Sequence, residues 1–193
     1  MTIRRRSTEG LLPLSAATAG LTAAHHAFEL STGIGLVLQP ELGLGGSSLL
    51  WGVGLPAWMG LASSRLPHRS AILAVSSGTA LAGALVHFIL WPSRRGRLGL
   101  PLLTEAEGLP TASLPAYNTI LYTWGTVAAA SIVLEIPRGS RRWALLGLAT
   151  IPLQLISARH HFTWLSRQAV EHPAWWNRAM ARAITAAPPA EQG

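Results

Sequence analysis

The chain has 193 residues, 49% of them apolar and only 12% charged, with a net charge of +7 and a mean hydropathy of +0.33. That charge content is about half the roughly 25% usual in water-soluble domains, which argues against an ordinary soluble fold. Cysteine is absent, which excludes disulfides, thiolate catalysis and cysteine-ligated zinc or iron–sulfur centres. The arginines fall in short connections between apolar runs, a distribution suited to phospholipid headgroups rather than to nucleic acid.

Five apolar stretches follow one another, at 15–38, 47–65, 71–91, 116–136 and 143–163. Each is close to the roughly 20 residues that a bilayer core requires. They predict one all-α domain, a polytopic membrane bundle of about five transmembrane helices. Residues 1–14 precede it as an arginine-rich segment. Residues 164–193 follow it as an amphipathic interfacial helix, from Glu171 to Ala187, and a frayed end from Pro188 to Gly193. Arg4–Arg6 ahead of Leu11 to Ala19 has the look of a secretory signal. Cleavage there would leave the first stretch too short to span, so an uncleaved first helix is expected. The leading arginines place the N-terminus on the cytoplasmic side of a bacterial cell membrane. The second stretch is interrupted by Gly52, Gly54, Pro56 and Gly60, and the fifth by Pro152. Trp51, Trp91, Trp143 and Trp164 fall at predicted helix ends, as an interfacial belt would have them.

The chemistry is expected where ionisable groups enter these stretches. His25, His26 and Glu29 lie in the first, His87 in the third, and His160 and His161 in the fifth. Each costs roughly 2.5–3.5 kcal/mol to insert, so such residues mark functional sites. Antiparallel alternation brings the ends of the first, third and fifth spans to one side. Asn118 at the start of the fourth, and the connection bearing Glu105 and Glu107, emerge on that side too. Thr18, Thr22, His25, Glu29 and Thr32 recur at helical spacing as one polar stripe. Ser76, Ala80, Gly83 and His87 form a second stripe, Asn118, Tyr122 and Gly125 a third, and Gln154, Ser157 and His161 a fourth. All must turn inward to avoid lipid.

A carboxylate beside imidazole in an apolar pocket suits proton transfer, because desolvation brings both toward neutrality. Glu29 is the expected acid, with His25 and His161 as catalytic partners. His26, Phe28, Trp58, His87, Asn118, Tyr122, Trp124 and His160 are the expected substrate-binding residues, the aromatic faces suiting a cation. An apolar, lipid-like substrate is expected, and no cofactor. The alternatives are a metal-dependent oxidoreductase with iron or copper on histidine and carboxylate, or a small transporter or accessory subunit. Arg94, Arg95 and Arg97 offer a phosphate contact or meet lipid headgroups. Thr104 and Glu107 have capping-box spacing, and Glu135 reads as a solvated interfacial residue.

The segment His25-His26-Ala27-Phe28-Glu29 resembles the first-helix motif of the small integral-membrane terpene cyclases of meroterpenoid and indole-terpenoid pathways. In that family an aromatic residue precedes a glutamate that protonates a prenyl epoxide or alkene. The resemblance carries over to Phe28 and Glu29, with Glu29 as proton donor. Those cyclases use a second acidic residue late in the chain, where this sequence has His160 and His161. Sterol isomerases of the emopamil-binding type are similar in scale, with histidine and glutamate in a lipid-filled helical pocket. Both resemblances imply acid chemistry on an isoprenoid inside a helical bundle.

Overall fold

The structure is a computed structural model that describes residues 10–186. The arginine triplet Arg4–Arg6 and the end from Pro188 to Gly193 lie outside the described residues. The chain runs through α1 (Pro13–Thr32), α2 (Gln39–Ser63), α3 (Arg69–Leu90), a hairpin of β1 (Ser93–Arg95) and β2 (Pro101–Leu103), and α4 (Leu114–Ala130). A π-helical turn (Ser131–Glu135) and a 3-10 helix (Arg138–Trp143) lead to α5 (Ala144–Leu148), α6 (Ile151–Glu171) and α7 (Arg178–Ala186). The protein is mostly helical, in line with the all-α expectation. Among the described residues α3 is the one helix long and apolar enough, by length and composition, to cross a membrane.

Helix boundaries follow local chemistry. Pro13 opens α1, where its missing N–H costs nothing. Gly33 closes it in the left-handed conformation at φ 93°. α2 starts earlier than predicted, at Gln39, and bends at Gly43. The fifth predicted stretch is two helices, because Pro152 cannot continue a helix from before it and sits in the first turn of α6. Trp51 and Trp164 accordingly lie inside α2 and α6 rather than at their ends. The connection after α3 is a short antiparallel hairpin, with Ser93 opposite Leu103 and Arg95 opposite Pro101. Gly99 at φ 75° makes its turn. The hairpin leaves Arg94, Arg95 and Arg97 exposed.

α3 is the centre of the bundle and touches α1, α2, α4, α5 and α6. Small residues on it let neighbours approach closely. A side chain built at Gly78 would collide with the Ala144 carbonyl, and one at Gly147 with the backbone of α3 around Val75 and Thr79. α1 turns its polar stripe inward, burying Ser15, Thr18, Thr22, His25, His26 and Glu29. Its N-terminus is held by Glu135, which is no solvated bystander. That carboxylate accepts from the backbone N–H groups of Leu14 and Ser15, both at 2.7 Å, and from the Ser15 hydroxyl at 2.6 Å. A negative charge here also complements the helix dipole.

α7 does more than lie on a surface. Arg178 donates to the carbonyls of Ser31 and Thr32 at the end of α1, and the Ala179 N–H donates to the Gly33 carbonyl at 3.1 Å. Ala179 and Met180 pack over Gly108 in the connection before α4. α7 thus clamps the two segments that carry the acidic residues described below.

Two substitutions test this framework by thermal unfolding in detergent. Glu135→Ala removes charged caps worth about 2 kcal/mol in total and lowers the midpoint by several degrees. Gly147→Ala gains up to about 1 kcal/mol of helix propensity but loses more to overpacking, about 1–3 kcal/mol. The net effect is destabilising, whereas alanine at Gly139, which has open space around it, is tolerated.

Candidate functional site

Glu29 is the hub. It sits one helical turn after His25, whose Nε2 lies 3.0 Å from Glu29 Oε1, while His26 Nδ1 lies 3.3 Å from Oε2. From α3, His87 Nε2 approaches Glu29 Oε1 at 3.7 Å and Glu107 Oε1 at 3.3 Å. His87 Nδ1 is 2.7 Å from the Gly83 carbonyl. A carbonyl only accepts, so Nδ1 carries the proton and Nε2 faces the carboxylates.

Glu107 reaches the hub from the connection between β2 and α4, and three features put it there. Asn118 staples the preceding strand, accepting from the Leu103 N–H at 2.8 Å and donating to the Leu103 carbonyl at 3.2 Å. Glu107 and Gly108 are both left-handed, at φ 55° and 73°, which reverses the chain inward. Ala106 and Leu109 are buried on either side. The capping-box expectation for Thr104 and Glu107 is therefore replaced. No helix begins there, Thr104 bonds to the Pro92 carbonyl, and Glu107 is 1% exposed.

Tyr117 joins the two carboxyls. Its hydroxyl lies 3.0 Å from Glu29 Oε1 and 2.8 Å from Glu107 Oε1. A phenol has one proton to give. Both contacts are full hydrogen bonds only when one carboxyl is itself protonated and donates to the phenol oxygen. Burial, followed by the charge of Glu29, pushes the Glu107 carboxyl up to about 7, against the opposing pull of His87 and Tyr117. Glu107 is thus the group that keeps its proton near neutrality. Its Oε2 has no hydrogen-bond partner.

Glu29, Glu107, His25, His26 and His87 line a cavity of about 480 Å³, a size suited to one drug-sized molecule. Its walls are mostly apolar and aromatic, with Trp51, Trp58 and Trp124 among them. Trp124 stacks on His25 with ring centres 4.8 Å apart, and its indole donates to the Thr22 hydroxyl at 2.9 Å. Trp51 lies 4.2 Å from the His26 ring. Ser76, Ala80 and Gly83 of α3 and Gln154, Ser157 and His161 of α6 complete the lining.

Other expected residues lie elsewhere. His161 faces the cavity but makes no hydrogen bond to the Glu29 hub. His160 points out and pairs with Glu41 at 3.4 Å, both about half exposed. Tyr122 bonds to the Pro101 carbonyl and borders a separate surface groove with Arg94. Asn118 is a staple, and Phe28 packs on the far side of Tyr117 with ring centres 5.6 Å apart. The buried residues of α4 are Leu114, Tyr117, Asn118, Leu121, Trp124 and Ala128, so Asn118 is buried as expected and Gly125 packs on Ala84 of α3, while Tyr117 and Trp124 rather than Tyr122 face the site. The signal for Tyr117 was present as that apolar spacing. The signal for Glu107 was its place between the apolar Ala106 and Leu109, ahead of Gly108 and Pro110.

The ligand atoms of His25, Glu29 and His87 all lie within 4.8 Å of one another, so these three residues are also where a metal ion would be held. No family model matches this chain, and no curated protein or solved structure matches it.

The proton assignment is testable without substrate. Infrared difference spectra across a pH titration should contain a protonated-carboxyl band that disappears near pH 7. Glu107→Gln should abolish it. Persistence of the band in that variant would move the proton to another group.

Proposed function

We propose that this protein is an integral-membrane enzyme that acts on an isoprenoid or similar apolar lipid by acid catalysis, as a cyclase or double-bond isomerase. The observation that carries this reading is the buried Glu29–Tyr117–Glu107 chain of oxygens, which requires a carboxyl proton, opening on an apolar cavity. Exposed apolar side chains on other helices support several membrane-embedded segments beside α3. Leu49 and Val53 on α2, Leu145 and Leu146 on α5, and Leu153 and Ile156 on α6 are all more than half exposed. Water-soluble monomers rarely leave so much apolar surface uncovered.

In this mechanism Glu107 donates its carboxyl proton to an alkene carbon or epoxide oxygen of the substrate. Glu107 becomes a carboxylate and the substrate a carbocation. The negative charge of Glu29 and the indoles of the cavity wall stabilise that cation. Loss of a proton from a neighbouring carbon to Glu29 completes the new double bond. The two carboxyls then exchange that proton through Tyr117, so the cycle is proton-neutral and needs no redox partner. Glu29 thus serves as base and electrostatic partner, while Glu107 takes the donor role that the first-helix motif implies for Glu29. His87 and His25 hold both carboxyls in register.

A mass-spectrometric comparison of membrane lipids with and without the protein identifies the product. Replacing Glu107 or Glu29 by Gln should lower its formation by about 10²–10⁴-fold, the worth of general acid–base catalysis. Full turnover in either variant would remove that residue's role. Because the acid form of Glu107 is the active one, the rate should fall as pH rises through about 7.

One observation favours a second reading, a His/Glu-ligated iron or copper oxidoreductase. His87 offers Nε2 while Nδ1 is fixed by a carbonyl, as metal-binding histidines commonly are. That reading expects stoichiometric metal in purified protein, lost on His25→Ala. Metal-free protein that still forms product would rule it out. A transporter would instead show substrate flux in proteoliposomes with no chemical change.

A further inference from the structure

The cavity carries polarity at a second place, away from the acidic hub. His161 comes from α6, two helical turns after Gln154, and is 2% exposed. Both of its ring nitrogens are buried without a hydrogen-bond partner. The Gly35 backbone lies within reach of the ring, and the charges of Glu29 and Glu41 act on it from further off, but neither ring nitrogen has a hydrogen bond of normal geometry. Leaving a buried polar group unmade costs about 1–3 kcal/mol, and imidazole has both a donor and an acceptor to satisfy. Packing fixes the ring in this position, edge-on to Phe162 at 5.2 Å and tilted against Trp164 at 6.2 Å.

Its polar neighbours do not explain it. Gln154 is already occupied, donating to the Thr79 carbonyl at 3.2 Å and the Thr150 hydroxyl at 2.7 Å. His160, next in the chain, is paired outside with Glu41. Ser157, one turn earlier on α6, lines the cavity too but does not partner either ring nitrogen, and Val37, Leu38 and Leu153 nearby are apolar. An orphaned imidazole in the wall of an otherwise greasy cavity is the arrangement that recognises one oxygen on an apolar molecule.

We propose that His161 binds a hydroxyl or carbonyl oxygen of the substrate, which is therefore an oxygenated isoprenoid rather than a pure hydrocarbon. This rests on the acid-catalysis reading of the cavity, and it assigns His161 to positioning rather than to proton transfer. The bound oxygen fixes the substrate's register, so that its reacting double bond or epoxide lies at Glu107.

The test uses the full-length protein in nanodiscs, with farnesol and the hydrocarbon farnesene at matched mole fractions in the bilayer. Quenching of the cavity tryptophans Trp51, Trp58 and Trp124 reports binding. Wild type should prefer farnesol by roughly 2- to 12-fold, the worth of one net hydrogen bond. His161→Phe should bring that ratio to about one with farnesene affinity retained, and His161→Gln should keep a ratio above one. If the phenylalanine variant does not fold, His161→Met carries the same comparison. A ratio near one in wild type, or an unchanged ratio in the variant without ring nitrogens, overturns the proposal. Glu107→Gln separates this inference from the catalytic one, since it should lose turnover and keep the farnesol preference.

Discussion

Two carboxyl groups held close together in a desolvated interior cannot both be charged at low cost. The fold resolves this with a phenol between them, imidazoles around them and one retained proton. The basic side chains that meet Glu29 and Glu107 are imidazoles, which can take up or release a proton as a permanently charged arginine cannot. Much of the architecture serves this arrangement. α4 is phased to turn Tyr117 inward, Asn118 pins the strand before the acidic connection, and α7 covers the connection while tying down the end of α1.

The cavity has a division of labour that follows from which helix supplies each wall. α1, α3 and the inward connection bring the acid groups together. α2 contributes indoles and aliphatic surface, and α6 contributes the isolated imidazole of His161. Small residues of α3 make this possible from the centre. Gly83 leaves space beneath Trp124 and Gln154, and Gly78 lets α5 cross so closely that α6 is drawn in behind it. Removing that space would disturb the site without touching any reacting group.

Much of the site was legible in helical periodicity. The stripes of α1, α3 and α6 are spaced by the 3.6-residue repeat, and Thr22, His25, Glu29, Ser76, Gly83, His87, Gln154 and His161 all reach the cavity. Periodicity served less well on α4, where a tyrosine belongs to the apolar face as readily as to the polar one. It failed for Glu107, which lies in no periodic element and turns inward through a left-handed backbone that spacing does not encode. It also failed for His160, adjacent to His161 but about 100° around the helix and so facing out.

The sequence by itself determined an apolar, cysteine-free helical protein with histidine and glutamate set on inward faces. Composition and repeat length are local properties, and local properties suffice for that. Only the tertiary structure decided that a second carboxyl joins Glu29, that a tyrosine hydroxyl bridges the two, and that one histidine of the closing pair stands alone in the cavity wall. Those outcomes depend on which atoms meet across distant stretches of chain. The meeting is set by how closely glycine lets helices cross and by where a connection reverses, and neither is written in the pattern of any single segment.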